Sequence, residues 1–167
     1  TLFVGVVDIG GGQATVFPMI AAEELGIDPA DIRIVYGDTQ DTRYGPSCHV
    51  SRVTSELGPA VLQAAAEARK RLFEIAAPLL GTKVEVLQSK NGHVYLKSNP
   101  WVSLPLTSIY DGIDPERPIR CSGSRAPNPA APLFAVFGAQ AAEVEVDIET
   151  GRVDVLRIAA AHDFGKA

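Results

Sequence analysis

The sequence predicts an α+β fold: a two-layer arrangement in which two main helices pack on a mixed β-sheet, completed by a C-terminal β-hairpin. Three observations predict it. Within the first 37 residues an apolar run, a glycine turn, a helix-spaced segment and a second apolar run follow one another. A long Ala-rich stretch then carries apolar residues at helical spacing, and two Val-rich runs joined by Glu149-Thr150-Gly151 close the chain. Such an order of elements suits helices layered on a sheet around one core.

Residues 2–9 are β-branched and apolar and read as a buried strand stopped by Gly10-Gly11-Gly12. From Gln13 or a few residues later to Leu25, the apolar Phe17, Ile20, Ala21 and Leu25 recur at helical spacing, and Gly26 supplies the stop. Pro18 then lies in the first turns of that helix or kinks it. Residues 31–37 alternate, with Ile32, Ile34 and Tyr36 on one face, and predict a second strand ending at Gly37-Asp38. Residues 39–50 show no period and predict a loop long enough for binding.

Val53, Leu57, Val61, Ala65, Ala68, Leu72, Ile75 and Leu79 trace a second amphipathic helix, which Gly58-Pro59 should kink or restart. Residues 84–87 and 93–97 predict a small hairpin excursion, because Asn91-Gly92 suits a tight turn with positive φ. A short helix is expected at 101–110 and irregular chain at 114–132. Residues 134–147 and 152–161 predict a strand pair in which Val144, Val146, Val153, Val155 and Ile158 pack.

With 167 residues and 46 % apolar composition the chain can build one real core, so a single unit over 1–167 is expected. A net charge of −5 offers no general field for a phosphodiester backbone, which argues against a nucleic-acid partner. No apolar run approaches the roughly 20 residues that span a bilayer. No basic and apolar leader opens the chain, and the expectation is a cytoplasmic protein without a membrane partner. Cys48 and Cys121 show no CxxC spacing, so no metal or iron–sulfur centre is expected. Thr1 starts directly in a strand-like run and Ala167 follows a Gly-Lys resembling mid-structure, from which an excised piece is expected.

A strand feeding three glycines and then a helix presents backbone N–H groups at the positive end of the helix dipole, a setting for a phosphate or pyrophosphate oxygen. The alternative, equally open on the tripeptide alone, is a tight turn that lets the helix pack closely. A nicotinamide-dinucleotide fold would use Asp38 on ribose hydroxyls, but Gln13-Ala14-Thr15 follows the glycines and G-x-G-x-x-G is not completed. Ser51-Arg52 stands where the long loop meets the second helix: either a second anion contact, or a helix cap beside a solvated charge. Pairing Ser47 or Cys48 with His49, or His162 with Asp163, asks adjacent residues to face each other, and no nucleophile elbow is present. His49, His93 and His162 lack metal-ligand spacing, and Glu143 and Glu145 lie on the solvated side of their strand.

Taken in order, several motifs are similar to the large subunit of the xanthine dehydrogenase and aldehyde oxidase family, the molybdenum hydroxylases. They are Asp8-Ile9-Gly10-Gly11-Gly12, Ile20-Ala21-Ala22-Glu23-Glu24-Leu25-Gly26, Gly37-Asp38-Thr39, Ser51-Arg52-Val53-Thr54 and Gly58-Pro59-Ala60-Val61. The run Gly138-Ala139-Gln140-Ala141-Ala142-Glu143-Val144-Glu145-Val146-Asp147, then Glu149-Thr150-Gly151 and His162-Asp163-Phe164-Gly165-Lys166-Ala167, completes the set. The similarity runs nearly the full chain and places it in the second molybdenum-cofactor-binding region.

That resemblance implies molybdopterin as cofactor, in a form that includes the cytosine dinucleotide. It also implies two cofactor loops, Ile9, Gly10, Gly11 and Gly12 in the first and Val50, Ser51, Arg52 and Val53 in the second. The implied partners are the remainder of the same large subunit and iron–sulfur and flavin subunits or domains. The glutamate base is placed by the resemblance beyond Ala167, so this span alone is expected to be inactive, without catalytic residues of its own. The rival expectation is a stand-alone nucleotide- or phosphate-binding module without redox chemistry. One departure stands out: many members have Gly-Gln-Gly in the first loop, whereas Gly11 holds the middle place here. Gln13, two positions on, is expected in or beside the helix rather than in that place.

Overall fold

The computed structural model describes residues 1–45, 47–49, 51–111, 113, 116–124 and 137–163. Val50 therefore lies outside the described residues, as do Phe164, Gly165, Lys166 and Ala167 and much of the stretch expected to be irregular. The chain divides into two units, residues 1–126 and 127–167.

The first unit opens with β1, Leu2–Val4, and β2, Ile34–Tyr36, paired in parallel with Leu2 opposite Ile34 and Val4 opposite Tyr36. Helix α1, Gln13–Leu25, crosses between them and continues through Pro18. Gly26 ends it in the left-handed conformation, at φ 72°, with its N–H donated to the Ala22 carbonyl. The strand β1 is shorter than the expected 2–9 run. Past Val4, the backbone at Arg43 and Gly45 crosses so close to Gly5 that a Cβ on either glycine would overlap the other segment, and pairing stops there. Residues 31–33 likewise fall outside β2, because Pro29–Asp31 forms a 3-10 turn capped by the Asp28 side chain on the Ala30 N–H.

Helix α2, Val53–Leu79, is 27 residues long, about 40 Å at 1.5 Å per residue. It runs unbroken through Gly58 and Pro59, where a kink or restart was expected. Gly58 is buried against Ile20 of α1, and that contact, not a turn, explains the glycine. Phe17, which has no exposed surface, packs with Val4, Val6, Ala21, Val53, Val61 and Ala65 in a first core cluster. Burying a side chain of this size stabilises by roughly 2–3 kcal/mol. The far half of α2 gives Phe73, Ala76 and Ala77 to a second cluster with Leu87, Val94 and Ile109.

The second cluster is closed by an antiparallel sheet of β3, Leu87–Lys90, β4, His93–Leu96, and β5, Asn99–Pro105, followed by α3, Leu106–Tyr110. The Asn91-Gly92 turn has φ of 51° and 74°, as its sequence predicts. The helix expected at 101–110 is confined to its last five residues. Val94 opposite Leu104 and Tyr95 opposite Ser103 draw the preceding residues into a third strand instead. Residues 84–86 form a 3-10 turn, so the first strand of the hairpin starts only at Leu87.

In the second unit, β6, Gly138–Val146, and β7, Val153–His162, form an antiparallel pair. Val144 faces Val155 whereas Glu143 faces Arg157, leaving Leu156 unpaired in a bulge. That extra residue shifts parity, so Ile158 joins Val144, Val146, Val153 and Val155 on one face. Among the described residues of the unit no second layer packs on these five. The class is mixed α+β as predicted, and among the described residues the strands form several small sheets.

Gly26 couples the two clusters. Its carbonyl accepts the Gly92 N–H at 2.8 Å, and a Cβ there would strike the Ser89 backbone. Gly26→Ala is therefore expected to lower stability by more than the ~1–2 kcal/mol cost of a left-handed non-glycine residue. Denaturant unfolding checks it, and an unchanged midpoint would contradict this packing.

Candidate functional site

The two predicted loops both leave the C-terminal ends of the parallel strands, the edge at which open α/β arrangements bind ligands. Residues 5–12 lead into α1 and residues 37–52 lead into α2. They meet at the strand exit. Cys48 donates its thiol hydrogen to the Val7 carbonyl at 3.0 Å, and a Cβ on Gly37 would lie 2.6 Å from Val7 Cγ1. Val6 and Val53 share the first core cluster, which places the helix starts on one packed base.

The first loop is organised by Asp8, which the sequence motifs include without a role of its own. Its carboxylate accepts the Gly10 N–H on Oδ1 and the Ala14 N–H on Oδ2, both at 2.9 Å. Asp8 thus caps α1 from four residues before Gly12, the residue at the cap position. Hydrogen bonds from Ala14, Gly10, Gly12 and Gly11 outweigh desolvation and hold its pKa below the ordinary aspartate value. The N–H groups expected to be offered to a phosphate are in part already given to this internal anion. The sequence signal was there: an aspartate two residues before a turn N–H is the pattern of an Asx turn.

Gly10 and Gly12 have φ of 94° and 78° and open space beside them, so main chain is accessible there. Ile9 presents its side chain outward, 67 % exposed. Gly11 differs: the Gln13 carboxamide folds back over it. The expectation that Gln13 sits in the helix is met by its backbone, yet its amide reaches the space beside position 11.

The second loop ends with Ser51 in a positive-φ conformation at 53°, uncommon for a non-glycine residue and frequent at binding sites. Arg52, not Ser51, occupies the cap position of α2, and no side-chain cap bond is made there. Arg52 Nε lies 3.8 Å from Glu56 Oε2, a half-exposed pair of little energetic weight. Val53 is buried in the core, so it anchors the helix start.

Most buried polar side-chain atoms in proteins are hydrogen-bonded, which makes exceptions informative. Among the described residues two such atoms lack a partner, Gln13 Oε1 and Arg52 Nε. One lies at each predicted loop. One needs a donor and the other an acceptor, so the residues present suit a ligand carrying both. A cleft of about 510 Å³ runs along α2 and β3 past Arg69, Phe73 and Tyr95, but contains neither atom. The unmet atoms lie at the loops and not in that cleft.

Ser47 Oγ and His49 Nδ1 lie 2.8 Å apart, closer than adjacent positions suggest, and form a two-residue contact rather than a triad. His93 bonds the Asn91 carbonyl and His162 the Gln140 amide, so the histidines belong to separate local contacts. Among the described residues no group of three His, Cys, Asp or Glu side chains is arranged to hold a metal ion.

Asp8→Ala should lower the thermal midpoint by a few degrees at neutral pH by uncapping α1. Because the folded carboxyl titrates lower than the unfolded one, its stabilisation is full above the ordinary aspartate range and lost as pH falls. The midpoint difference between the wild type and Asp8→Ala should therefore hold above about pH 5 and shrink below about pH 4. A difference independent of pH would rule out the carboxylate as the cap.

The family described as Molybdopterin cofactor-binding domain matches residues 1–167. The xanthine dehydrogenase molybdenum-binding subunit of Escherichia coli O157:H7 is 31 % identical over 171 residues, covering 96 % of this chain and 22 % of that protein. The carbon monoxide dehydrogenase large chain of Afipia carboxidovorans is 28 % identical, covering 93 % of this chain and 20 % of that protein. Among solved structures, quinoline 2-oxidoreductase from Pseudomonas putida 86 superposes with TM-score 0.76 at 27 % identity, over 96 % of this chain and 21 % of that one. Reconstituted CO dehydrogenase from Oligotropha carboxidovorans gives 0.74 at 26 % identity, over 94 % and 20 %. The chain thus spans about a fifth of the length of these relatives. Nothing among them supports the stand-alone nucleotide module. With the match running from Thr1 to Ala167 and the unmet polar atoms falling at both predicted loops, the chain belongs to the molybdopterin cofactor-binding domain family of the molybdenum hydroxylases.

Proposed function

We propose that this chain holds molybdopterin between the loop Ile9, Gly10, Gly11 and Gly12 and the loop Val50, Ser51, Arg52 and Val53, as part of a molybdenum-dependent oxidoreductase. The observation that carries the reading is the pair of buried atoms without a hydrogen-bond partner, Gln13 Oε1 and Arg52 Nε, one at each loop. Arg52 donates Nε–H to a phosphate oxygen, at a helix start that no side chain caps. Gly10 and Gly12 let the ligand approach the main chain, and Asp8 holds that loop in shape before the ligand arrives. The cofactor of this proposal includes the cytosine dinucleotide form.

Bound molybdopterin would supply the redox centre for hydroxylation. The residues of this chain bind and orient it; the proton-accepting base and the electron path come from the remainder of a large subunit and from iron–sulfur and flavin partners. The support is proportion: the chain aligns with about a fifth of relatives whose names describe subunits or chains of molybdenum or carbon monoxide dehydrogenases. A cytoplasmic location fits such a cofactor-loaded oxidoreductase. Among the described residues no helix is long and apolar enough to cross a membrane.

The test is molybdenum and pterin content per polypeptide of the complete protein, produced in cells that make the cofactor. Wild type should carry both. Arg52→Ala, which removes a charge-assisted hydrogen bond, should lower retention roughly tenfold or more. Full retention by Arg52→Ala, or saturable NAD binding without pterin, would sink the assignment.

A further inference from the structure

We infer that Gln13 contacts the bound cofactor directly, its carboxamide oxygen accepting a hydrogen bond from an N–H group of the pterin ring, and that position 11 is glycine so that this carboxamide can lie across the turn. The inference rests on the molybdopterin reading above and adds a contact that the loop assignment does not contain.

The backbone around Gln13 makes its pose unusual. A glutamine in the first turn of a helix ordinarily reaches into water, since nothing there demands burial. Gln13 is instead 9 % exposed and is the one polar residue in the buried class among the described residues. Its side chain folds back toward the turn. A Cβ built on Gly11 would lie 2.6 Å from Gln13 Nε2, 2.9 Å from Oε1 and 3.1 Å from Cδ.

Those distances explain Gly11 in a way its conformation does not. Gly10 and Gly12 need glycine for their positive φ and have nothing within 4 Å of an added Cβ. Gly11 has no positive φ, and the three atoms nearest an added Cβ all belong to the Gln13 amide. Positions 11 and 13 are therefore coupled: either a side chain grows from 11 or the amide of 13 lies there.

The amide oxygen in that place is out of solvent and has no hydrogen-bond partner among the described residues. The turn offers it little, because the N–H groups of Gly10 and Ala14 are donated to Asp8. Among the described residues nothing supplies the missing donor, and a bound ligand can. A phosphate at neutral pH presents mainly acceptor oxygens and would also face the Asp8 carboxylate, so the matching ligand portion is one that carries N–H groups. In molybdopterin that portion is the ring.

The experiment compares Gln13→Met, Gly11→Ala and the double variant in the complete protein, with two readouts: molybdenum and pterin content, and the thermal midpoint of cofactor-free protein. Met is close in size and cannot accept strongly, so Gln13→Met should keep or raise the cofactor-free midpoint while cofactor content falls roughly tenfold. Gly11→Ala should lower cofactor content by displacing the amide, and the double variant should lose no more than Gln13→Met alone. Full cofactor content in Gln13→Met, with Arg52→Ala still depleted, would overturn the Gln13 contact and leave the family site standing; it would mean that a trapped water serves the amide. A drop in the cofactor-free midpoint that accounts for the loss would overturn it as a structural effect. A wild type without pterin would overturn both readings.

Discussion

The packing of α1 against the first half of α2 is the constraint on which the rest of the first unit depends. Phe17 fills the space between the helices and the β1–β2 pair, and Gly58 lets Ile20 approach the α2 backbone. Arg69 adds an ion pair to Glu24 at 2.9 Å and lies over the Phe73 ring, tying the end of α1 to the middle of α2. Both candidate loops are the leads into these two helices. Once the helices are packed, the loop ends are held near one another without having to touch.

The two helix starts are treated in opposite ways, and this gives the candidate site its polarity. At α1 the N–H groups converge on an internal carboxylate, so the positive end of the helix dipole is already met. At α2 no side chain caps the first turn, Ser51 is held in an uncommon backbone conformation, and Arg52 Nε, at ion-pair distance from Glu56, makes no hydrogen bond. An anionic group is favoured at the second start and a donor-bearing group at the first. The glycine turn alone leaves phosphate binding and tight packing equally open, because the sequence does not show where the Asp8 carboxylate points.

How far the sequence carried the account follows from the range of the forces involved. Helix α1, its Gly26 stop, the Asn91-Gly92 turn and the strand pair at the end of the chain were legible, because each is set by neighbours a few residues apart. The short β1 and the third strand β5 were not, because one is cut by the distant Arg43 to Gly45 backbone and the other is recruited by β4. The bulge at Leu156 was also hidden, since alternation alone would place Ile158 opposite the valines. In the site, residue types were legible and orientations were not. Gln13 was correctly placed at the head of the helix, yet its amide direction depends on the glycine two residues earlier.

The most direct measurement of the central claim is an experimental structure of the complete protein with its cofactor bound. The account predicts the cofactor between the two loops, with an N–H group within hydrogen-bonding distance of Gln13 Oε1 and a phosphate oxygen within reach of Arg52 Nε. A cofactor seated elsewhere, with both atoms still unpartnered, would contradict it.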